Sequence, residues 1–366
     1  MVYNTYMIIL TANEWKWLNA RVSKDAIKRL IIKRIRKANY PIPLNGPTFI
    51  EAETAFTQLK NLDTSTLITH NSWVTRYDYK YNLTDTYIEN SKVGGAASNY
   101  FHFDNRLECD SINSPSPIRV WNSDKFMYTL LNFMWGALNN SNNDITLKTM
   151  ASAISLRKYI ASQYRPSIAK CVYDTYCVDN GRVLDFSAGW GDRLAGFHAS
   201  HCGSYVGIDP NKNLINNYIK QNCLYKTGKS VIMICDAAED VTLNGEFDLV
   251  FTSPPYFQIE RYTQDSTQSY KRYKKLDQWL NGFLFKTLDN AWNHLKVGGK
   301  MIINISDVYC YHEIQKICDP MNDFISGLDG AKYLGAIGMR MAKRPNTNAI
   351  KTGIFCEPLW MFERVK

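Results

Sequence analysis

The stretch Arg182-Val-Leu-Asp-Phe186, followed by Ser-Ala-Gly189-Trp-Gly191, decides the fold. Residues 182–186 form a short apolar run typical of a buried strand, and the pattern predicts a helix over residues 191–200 directly after the glycines. Glycine lets a backbone approach a ligand closely and adopt conformations that other residues avoid. The stretch therefore predicts a strand, a ligand-binding loop and a helix in succession.

The alternation of strand and helix signals continues to the end of the chain. Helices are expected over residues 213–224 and 276–295, and strands over 204–208, 231–235, 247–252, 300–305, 333–341 and 354–362. Strands separated by helices imply crossover connections and a mainly parallel sheet that is buried on both faces. In such α/β sheets ligands bind beyond the carboxyl ends of the strands.

Polar residues follow the next two predicted strands. Asp209 ends the second strand, eighteen residues after Gly191, and a carboxylate there can accept hydrogen bonds from two ribose hydroxyls. Asp236 and Ala237 follow the third strand, where a carboxylate can accept a hydrogen bond from an adenine amino group. A single aspartate in such a place is also a common helix N-cap. Three strand ends in this order indicate a nucleoside site.

The number of glycines indicates which kind of nucleoside. A dinucleotide fingerprint needs a third glycine near position 194, where this chain has Leu194, and a phosphate loop needs a Lys-Ser/Thr pair that this stretch lacks. A ligand without a phosphate chain is therefore expected, and S-adenosylmethionine is such a ligand. The residues of this predicted cofactor site are Asp185, Ser187, Gly189, Gly191, Asp209, Asp236 and Ala237.

The fourth predicted strand runs directly into Ser253-Pro254-Pro255-Tyr256. Paired prolines are ordinarily a turn or an extended recognition segment, but these follow a buried strand beside the predicted nucleoside site. At this point the sequence resembles the DNA amino-methyltransferases, whose catalytic motif is Asp/Asn/Ser-Pro-Pro-Tyr/Phe/Trp. The resemblance covers residues 160–366 and includes the order of the motifs. The block from Tyr100 to Pro117 resembles the leading half of methylase-like proteins of phages and large DNA viruses.

This resemblance implies a fold and a set of roles. The fold is the Rossmann-like one of S-adenosylmethionine-dependent methyltransferases, with a mainly parallel seven-stranded sheet and an additional N-terminal region. The Ser253 hydroxyl and the Pro254 carbonyl would accept hydrogen bonds from an exocyclic amino group, and Tyr256 would stack on a base flipped out of the duplex. Arg165 and Pro166 look like the motif that closes over the methionine end of the cofactor.

The same resemblance favours a target base. Serine at position 253 is more typical of enzymes that methylate cytosine N4, and aspartate is more typical of those that methylate adenine N6. Cytosine is therefore favoured, with adenine close behind. Methylation of an RNA base or of a protein, and a nucleic-acid-binding protein that keeps the fold without catalysis, remain the alternatives.

The formal net charge of +9 favours a polyanionic partner, and DNA is the expected one. Residues 1–40 contain nine lysine and arginine residues against two acidic ones, and residues 23–37 read as a basic helix with one apolar side. Residues 1–150 are therefore predicted to be an N-terminal region that can take part in nucleic-acid recognition. Residues 151–366 are predicted to be the catalytic domain, and the polar stretch 139–144 marks the boundary.

Other features of the sequence limit its setting. Basic and aromatic residues alternate over 261–275, and Lys343 and Arg344 lie in the last loop. Each of these two segments is either a nucleic-acid contact or a solvated loop. The nine cysteines are scattered without a CxxC pair, which predicts reduced thiols and no structural metal. No apolar run is long enough to span a bilayer, and residues 1–10 do not resemble a signal peptide. We expect a cytoplasmic location, in a host if the protein is viral, and the oligomeric state stays open.

Overall fold

The structure, a computed structural model, describes residues 7–139, 143–156, 160–341 and 352–366. The chain divides into two compact units: a helical unit of Met1–Gly46 and Asp104–Ser162, and a sheet unit of Pro47–Phe103 and Gln163–Lys366. This division differs from the predicted boundary at residue 150, because residues 47–103 contribute helices and strands to the sheet unit. Residues 140–142 of the predicted boundary stretch lie outside the described part of the chain.

The described residues contain fourteen α-helices. They are α1 (Ala12–Asn19), α2 (Lys24–Lys37), α3 (Phe49–Lys60), α4 (Gly95–Glu108), α5 (Pro117–Asn122), α6 (Asp124–Asn139), α7 (Leu147–Leu156), α8 (Pro166–Tyr176), α9 (Asp192–Ala199), α10 (Ile215–Tyr225), α11 (Ser269–Arg272), α12 (Leu276–Trp279), α13 (Lys286–Asn293) and α14 (Cys318–Ser326). A π-helical segment, Leu280–Phe285, joins α12 to α13. The predicted amphipathic helix over 276–295 therefore exists, with a wider turn in its middle.

The described residues also contain fifteen strands. They are β1 (Ile8–Leu10), β2 (Ile68–Thr69), β3 (Leu83–Ile88), β4 (Asp110–Ser111), β5 (Ile145–Thr146), β6 (Arg182–Asp185), β7 (Ser204–Ile208), β8 (Ser230–Ile234), β9 (Phe247–Thr252), β10 (Glu260–Arg261), β11 (Leu295–Asn304), β12 (Val308–Cys310), β13 (Glu313–Gln315), β14 (Ala331–Arg340) and β15 (Cys356–Arg364). Every strand predicted from residue 182 onward is present, and the largest shift is at β11, which begins five residues earlier than predicted.

The core of the sheet unit is a nine-stranded sheet in the order β2-β3-β14-β15-β11-β9-β6-β7-β8. Its strands run parallel apart from β15, which is antiparallel to both β11 and β14, and β2, which is antiparallel to β3. The predicted mainly parallel α/β sheet is thus confirmed. It has nine strands instead of seven because β2 and β3 extend the β14 edge. These two strands precede the helical insertion, residues 104–162, which interrupts the sheet unit in sequence.

The strand order reverses at β6. From β6 the chain moves outward to β7 and then to β8, and it returns to place β9 on the opposite side of β6. The parallel register pairs Val183 with Leu249 and Leu184 with Val250, so the carboxyl ends of β6 and β9 lie side by side. In an open α/β sheet the crevice at such a switch point is where ligands bind.

Residues 47–103 cover part of the sheet unit with helix α3. A capping box between Thr48 and Glu51 starts this helix. Its buried face includes Phe56, whose ring stacks on Tyr225 of α10 at 3.8 Å between ring centroids. The segment before the helical insertion is therefore packed against the helix that follows β7.

The helical unit has its own apolar core. Ile27, Ile31 and Ile35 on one face of α2 are at most 1% exposed and pack with residues of α1, α5, α6 and α7. Ser23 is the N-cap of α2, which confirms the predicted basic helix, and Thr11 with Glu14 forms a capping box at α1. Strands β1 and β5 pair in a short antiparallel sheet.

Among the described residues, no helix is both long enough and apolar enough to cross a membrane.

Replacement of Phe56 tests how α3 is anchored. We expect Phe56→Ala to lower the free energy of unfolding by about 3–5 kcal/mol, because a buried ring is lost and a cavity remains. Phe49→Ala in the same helix removes a ring that is 47% exposed, and it should cost less than about 1 kcal/mol. Urea denaturation followed by fluorescence measures both variants. Equal losses would contradict anchoring through Phe56.

Candidate active site

Two loops meet at the switch point of the sheet. The glycine loop, residues 186–191, joins β6 to α9, and the proline loop, residues 253–256, follows β9. Adjacent strands in a sheet are about 4.8 Å apart, so the two loops begin next to each other. The structure therefore brings together the two motifs that the sequence places 62 residues apart, counting from Gly191 to Ser253.

The fully buried carboxylate of Asp185 is hydrogen-bonded to the glycine loop and to the residue before the proline loop. Asp185, at the end of β6, accepts hydrogen bonds from Arg193 Nε at 2.8 Å, Tyr205 Oη at 2.7 Å and Thr252 Oγ1 at 2.8 Å. The Ser187 amide donates to the same carboxylate at 3.2 Å. These donors belong to α9, β7, β9 and the glycine loop. Asp185 therefore holds the loops in place, and its oxygen atoms are occupied by donors from the protein.

The charge of Asp185 also sets the protonation of its neighbours. Burial by itself would lower the pKa of Arg193, but the charge of Asp185 and its hydrogen bonds raise it above its usual range. Burial raises the pKa of Tyr205 well above its usual range, and the charge of Asp185 adds to the rise. The anchor is thus a buried carboxylate–guanidinium pair with a neutral phenol as a further donor.

Side chains of α10 hold the glycine loop from the other side. The Tyr218 hydroxyl donates to the Gly189 carbonyl, and Gln221 Nε2 donates to the Gly191 carbonyl at 2.6 Å. Gly191 has a φ of +68°, and a Cβ atom there would lie 2.2 Å from Gln221 Oε1 and 2.9 Å from His102 Nε2. Glycine at 191 is therefore required by backbone conformation and by the close approach of α10 and α4.

Asp209 lies at the end of β7 and faces the glycine loop. Its Oδ2 accepts from the Gly189 amide and its Oδ1 from the Asn211 amide, both at 2.9 Å. Burial raises the pKa of this carboxyl to about 6, although the two backbone hydrogen bonds oppose the rise. Each oxygen accepts one backbone hydrogen bond and keeps a lone pair for a donor on a ligand.

Asp236 and Ala237 lie at the end of the next strand, β8. Asp236 is exposed and accepts from the Ala237 amide at 2.8 Å, whereas Ala237 is buried. Asp209 and Asp236 thus follow adjacent parallel strands, one partly enclosed and one at the rim. This is the arrangement that the sequence predicts for a ribose and an adenine.

The segment before α8 contributes Arg165 and Pro166. Arg165 is the N-cap residue of α8 and is half-buried, and Pro166 occupies the first turn. Burial lowers the pKa of Arg165, and its guanidinium has no carboxylate partner among the residues that the structure describes. Just before it, Tyr164 lies under the Arg193 guanidinium at 5.2 Å. Among the described residues, Arg165 is thus a cation without a carboxylate partner, and it directly follows a residue that contacts the anchor.

The proline loop is held at both ends. Thr252 before it bonds to Asp185, and Phe257 after it is 2% exposed with its ring 6.0 Å from that of Trp279. Phe257 has a φ of +53°, and its amide donates to the Pro255 carbonyl at 3.0 Å. Burial of its ring holds Phe257 in this uncommon conformation, and the fold of the loop depends on it.

Ser253 and Tyr256, the first and last residues of the proline loop, are half-buried and hydrogen-bonded to each other. Burial raises the pKa of Tyr256 well above its usual range, the nearby carboxylate of Glu357 adds to the rise, and a hydrogen bond with Ser253 opposes it. The phenol therefore stays neutral. Ser253 is half-buried and Pro254 is buried.

Several residues of this site were not predicted from the sequence. Thr252, Tyr205, Arg193, Tyr218, Gln221 and Glu357 act through contacts that become visible only in the fold. Ser98, which donates to Asp192, and Gln163, which donates to the same carboxylate at 2.7 Å, tie the start of α9 to α4. The one sequence signal is spacing: Tyr218 and Gln221 are three apart and share a helix face.

The basic and aromatic stretch over 261–275 is partly used within the protein. Arg272 pairs with Glu239 at 3.0 Å and with Asp240, and the buried Tyr270 donates to the Thr263 carbonyl at 2.6 Å. These residues support the loop, so the expectation of base stacking does not extend to Tyr270. The predicted contacts Lys343 and Arg344 lie outside the described residues.

No protein-family model matches this sequence, and no curated protein matches it. Solved structures resemble part of the fold. An rRNA methylase from Streptococcus thermophilus covers 56% of this chain and 100% of its own, at 15% identity and a TM-score of 0.36. TrmN from Thermus thermophilus covers 54% of this chain and 48% of its own, at 12% identity and a TM-score of 0.38. SMU.1697c from Streptococcus mutans, solved in complex with SAH, covers 56% and 99%, at 15% identity and a TM-score of 0.36.

These scores are too low to support an inference about activity. The fold is assigned from the strand order of this chain, with its switch at β6 and its reversed strand β15 between β11 and β14. It is a Rossmann-like α/β fold, and the predicted mainly parallel α/β class is confirmed.

Loss of the Arg193 guanidinium tests the anchor. We expect Arg193→Met to lower the free energy of unfolding by about 3–5 kcal/mol, because Asp185 is left as an uncompensated buried charge. Lys296→Met breaks the ion pair with Asp248. Because the Lys296 side chain is 44% exposed, this change should lower the free energy of unfolding by less than about 1 kcal/mol. Chemical denaturation compares the two variants. A small loss in Arg193→Met would show that Asp185 does not depend on this partner.

Proposed function

We propose that this protein is an S-adenosylmethionine-dependent methyltransferase that modifies an exocyclic amino group of a DNA base, with cytosine N4 favoured and adenine N6 close behind. One observation carries the proposal. The Ser-Pro-Pro-Tyr sequence follows the central strand β9 directly, beside the glycine loop, and both loops share the Asp185 anchor. The loop proposed to hold the nucleoside and the loop proposed to hold the amino group thus follow adjacent strands.

The residues of the glycine loop and its neighbours fit the cofactor. Asp209 offers lone pairs to the ribose hydroxyls, and Asp236 offers a carboxylate to the adenine amino group. Gly189 has a φ of +59°. Among the described residues other than its two chain neighbours, only the Ser187 carbonyl oxygen lies within 4 Å of a Cβ atom built there, so the loop leaves room for a ligand. Arg165 offers a cation to the methionine carboxylate. S-adenosylmethionine, when bound, supplies an electrophilic methyl group on its sulfonium.

The proline loop would prepare the amino group for attack. An exocyclic amine is a weak nucleophile because its lone pair is delocalised into the ring of the base. Hydrogen bonds from its two N–H groups to the Ser253 hydroxyl and the Pro254 carbonyl hold the nitrogen closer to tetrahedral geometry and direct the lone pair. Positioning of this kind supplies most of the rate enhancement.

Two further steps are the binding of the base by Tyr256 before methyl transfer and the loss of a proton from the methylated nitrogen afterwards. The neutral phenol ring stacks on the extruded base, and stacking is worth about 1–3 kcal/mol per base, which offsets much of the cost of extrusion. The methylated nitrogen is acidic and loses its proton to water. No strong general base is therefore required.

The proposal is tested by incubating the protein with labelled S-adenosylmethionine and unmodified duplex DNA, followed by mass spectrometry of the nucleosides. N4-methylcytosine or N6-methyladenine is the expected product, and its identity determines the base. Parallel reactions contain duplex RNA, single-stranded RNA and a protein extract. Label in RNA or protein but not in DNA would show that DNA is not the substrate. If no methyl group is transferred to any of these substrates, the proposed methyltransferase activity is wrong.

Replacement of Ser253 tests the role of its hydroxyl. We expect Ser253→Ala to reduce kcat by about 10²–10³-fold, because an acceptor for the amino group is lost in the transition state. Affinity for S-adenosylmethionine should be unchanged in calorimetry. Ser266→Ala, on the exposed loop that follows, is the matched control and should keep full activity. Near-normal turnover of Ser253→Ala would exclude the proposed role.

Asp209 should make cofactor binding dependent on pH. Its carboxyl has a pKa of about 6 in the protein without ligand, and acceptance of two ribose hydroxyls favours the charged form. Below pH 6 the proton must leave before binding, so affinity should fall as pH falls, by up to about tenfold per pH unit. Calorimetry from about pH 7.5 to about pH 5 measures this dependence.

The control for this pH dependence is Asp209→Asn. The amide does not titrate, so this variant should bind more weakly at neutral pH and show a flat profile across the same range. A wild-type affinity that stays constant down to the acidic end would contradict ribose binding by the charged Asp209.

A further inference from the structure

The net charge of the protein is concentrated in the helical unit. Over Met1–Gly46 and Asp104–Ser162 the sequence has 15 lysine and arginine residues against 7 acidic ones, a net charge of +8. The sheet unit has 28 basic and 27 acidic residues, a net charge of +1. The unit that contains the candidate active site is therefore nearly neutral, and the attraction for a polyanion comes from the other unit.

Helix α2 contributes nearly half of the lysine and arginine residues of the helical unit. It contains seven basic residues and one acidic residue. Lys28, Arg34 and Arg36 are used inside the unit, where they pair with Asp25, Glu14 and Asp124. These three residues are explained by the packing of the unit.

Three other basic residues form a stripe along α2: Arg29, Lys33 and Lys37. They are spaced four apart, so their side chains lie on one face, and all three are exposed. None of them forms an ion pair with another residue that the structure describes. Like charges at this spacing destabilise a helix, so folding does not account for the stripe.

The opposite face of α2 excludes one kind of partner. A helix that binds a membrane surface needs a free apolar face. In α2 that face consists of Ile27, Ile31 and Ile35, which are at most 1% exposed in the core of the helical unit. The helix therefore presents charge alone, which suits a regular array of phosphates.

We propose that the Arg29–Lys33–Lys37 stripe binds the phosphate backbone of duplex DNA and anchors the substrate independently of its sequence. The inference rests on the proposed function for its choice of DNA. The stripe spans about 12 Å along the helix axis, and DNA has one phosphate charge per about 1.7 Å of its axis, so several phosphates lie within its reach. Phosphate contacts position a protein on the duplex, and they leave the choice of base to the active site.

The experiment compares two triple variants of the full-length protein. The stripe variant is Arg29→Ala/Lys33→Ala/Lys37→Ala, and the control is Lys60→Ala/Lys220→Ala/Lys332→Ala, which removes the same charge from exposed lysines of the sheet unit. Fluorescence anisotropy measures affinity for a labelled DNA duplex over a range of salt concentrations. Circular dichroism and affinity for S-adenosylmethionine show that both variants are folded.

The salt dependence is the decisive readout. Each phosphate contact adds about 0.9 to the slope of log K against log[salt], so the stripe variant should lose about 2.7 from the wild-type slope. Between about 50 and 200 mM salt the wild type should then lose about 40-fold more affinity than the stripe variant does. The control should keep the wild-type slope. An unchanged slope in the stripe variant, or equal changes in both variants, would overturn the inference.

The outcome is separable from that of the proposed function. A reduced slope without any methyl label in DNA would retain the DNA-binding stripe and reject the activity. Methylated DNA with an unchanged slope would retain the activity and reject the stripe. The same titration with an RNA duplex of matching sequence is included, and a slope change confined to RNA would overturn the choice of DNA.

Discussion

The buried Asp185–Arg193 pair is the interaction on which the site depends. A carboxylate at the centre of a sheet is costly unless it is paired and hydrogen-bonded. Asp185 satisfies this requirement with donors from four different elements, including Tyr205 and Thr252. Each donor orders the element that supplies it. The hydrogen bonds that stabilise this buried charge also fix the positions of the glycine loop and the proline loop.

The two loops need this support because neither is a regular element. The glycine loop contains residues with positive φ at 189 and 191, and Phe257, directly after the proline loop, also has positive φ. Tyr218 and Gln221 hold the first loop through its carbonyl groups, and burial of the Phe257 ring holds the second. Irregular backbone at a functional site is kept in place by the regular structure around it.

The two units differ in net charge. The sheet unit has nearly equal numbers of basic and acidic residues, and some of them pair locally, as Arg272 does with Glu239. The helical unit keeps an excess of positive charge on the outside, with its isoleucines inside. Under the proposed function, the choice of base is assigned to the candidate site in the sheet unit, and general attraction for DNA is assigned to the basic helical unit.

The sequence by itself determined what depends on neighbours along the chain. Period and turn residues located the strands from residue 182 onward, and motif order placed Asp209, Asp236 and Ser253 at strand ends. Tertiary structure decided what depends on distant residues. Asp185 reads as a cofactor ligand in the sequence, but its oxygens are occupied by Arg193, Tyr205 and Thr252. Residues 47–103 read as part of a leading region, yet β3 pairs with β14 across about 250 residues. Pairings of this kind follow from burial and hydrogen bonding between remote segments, which no local pattern encodes.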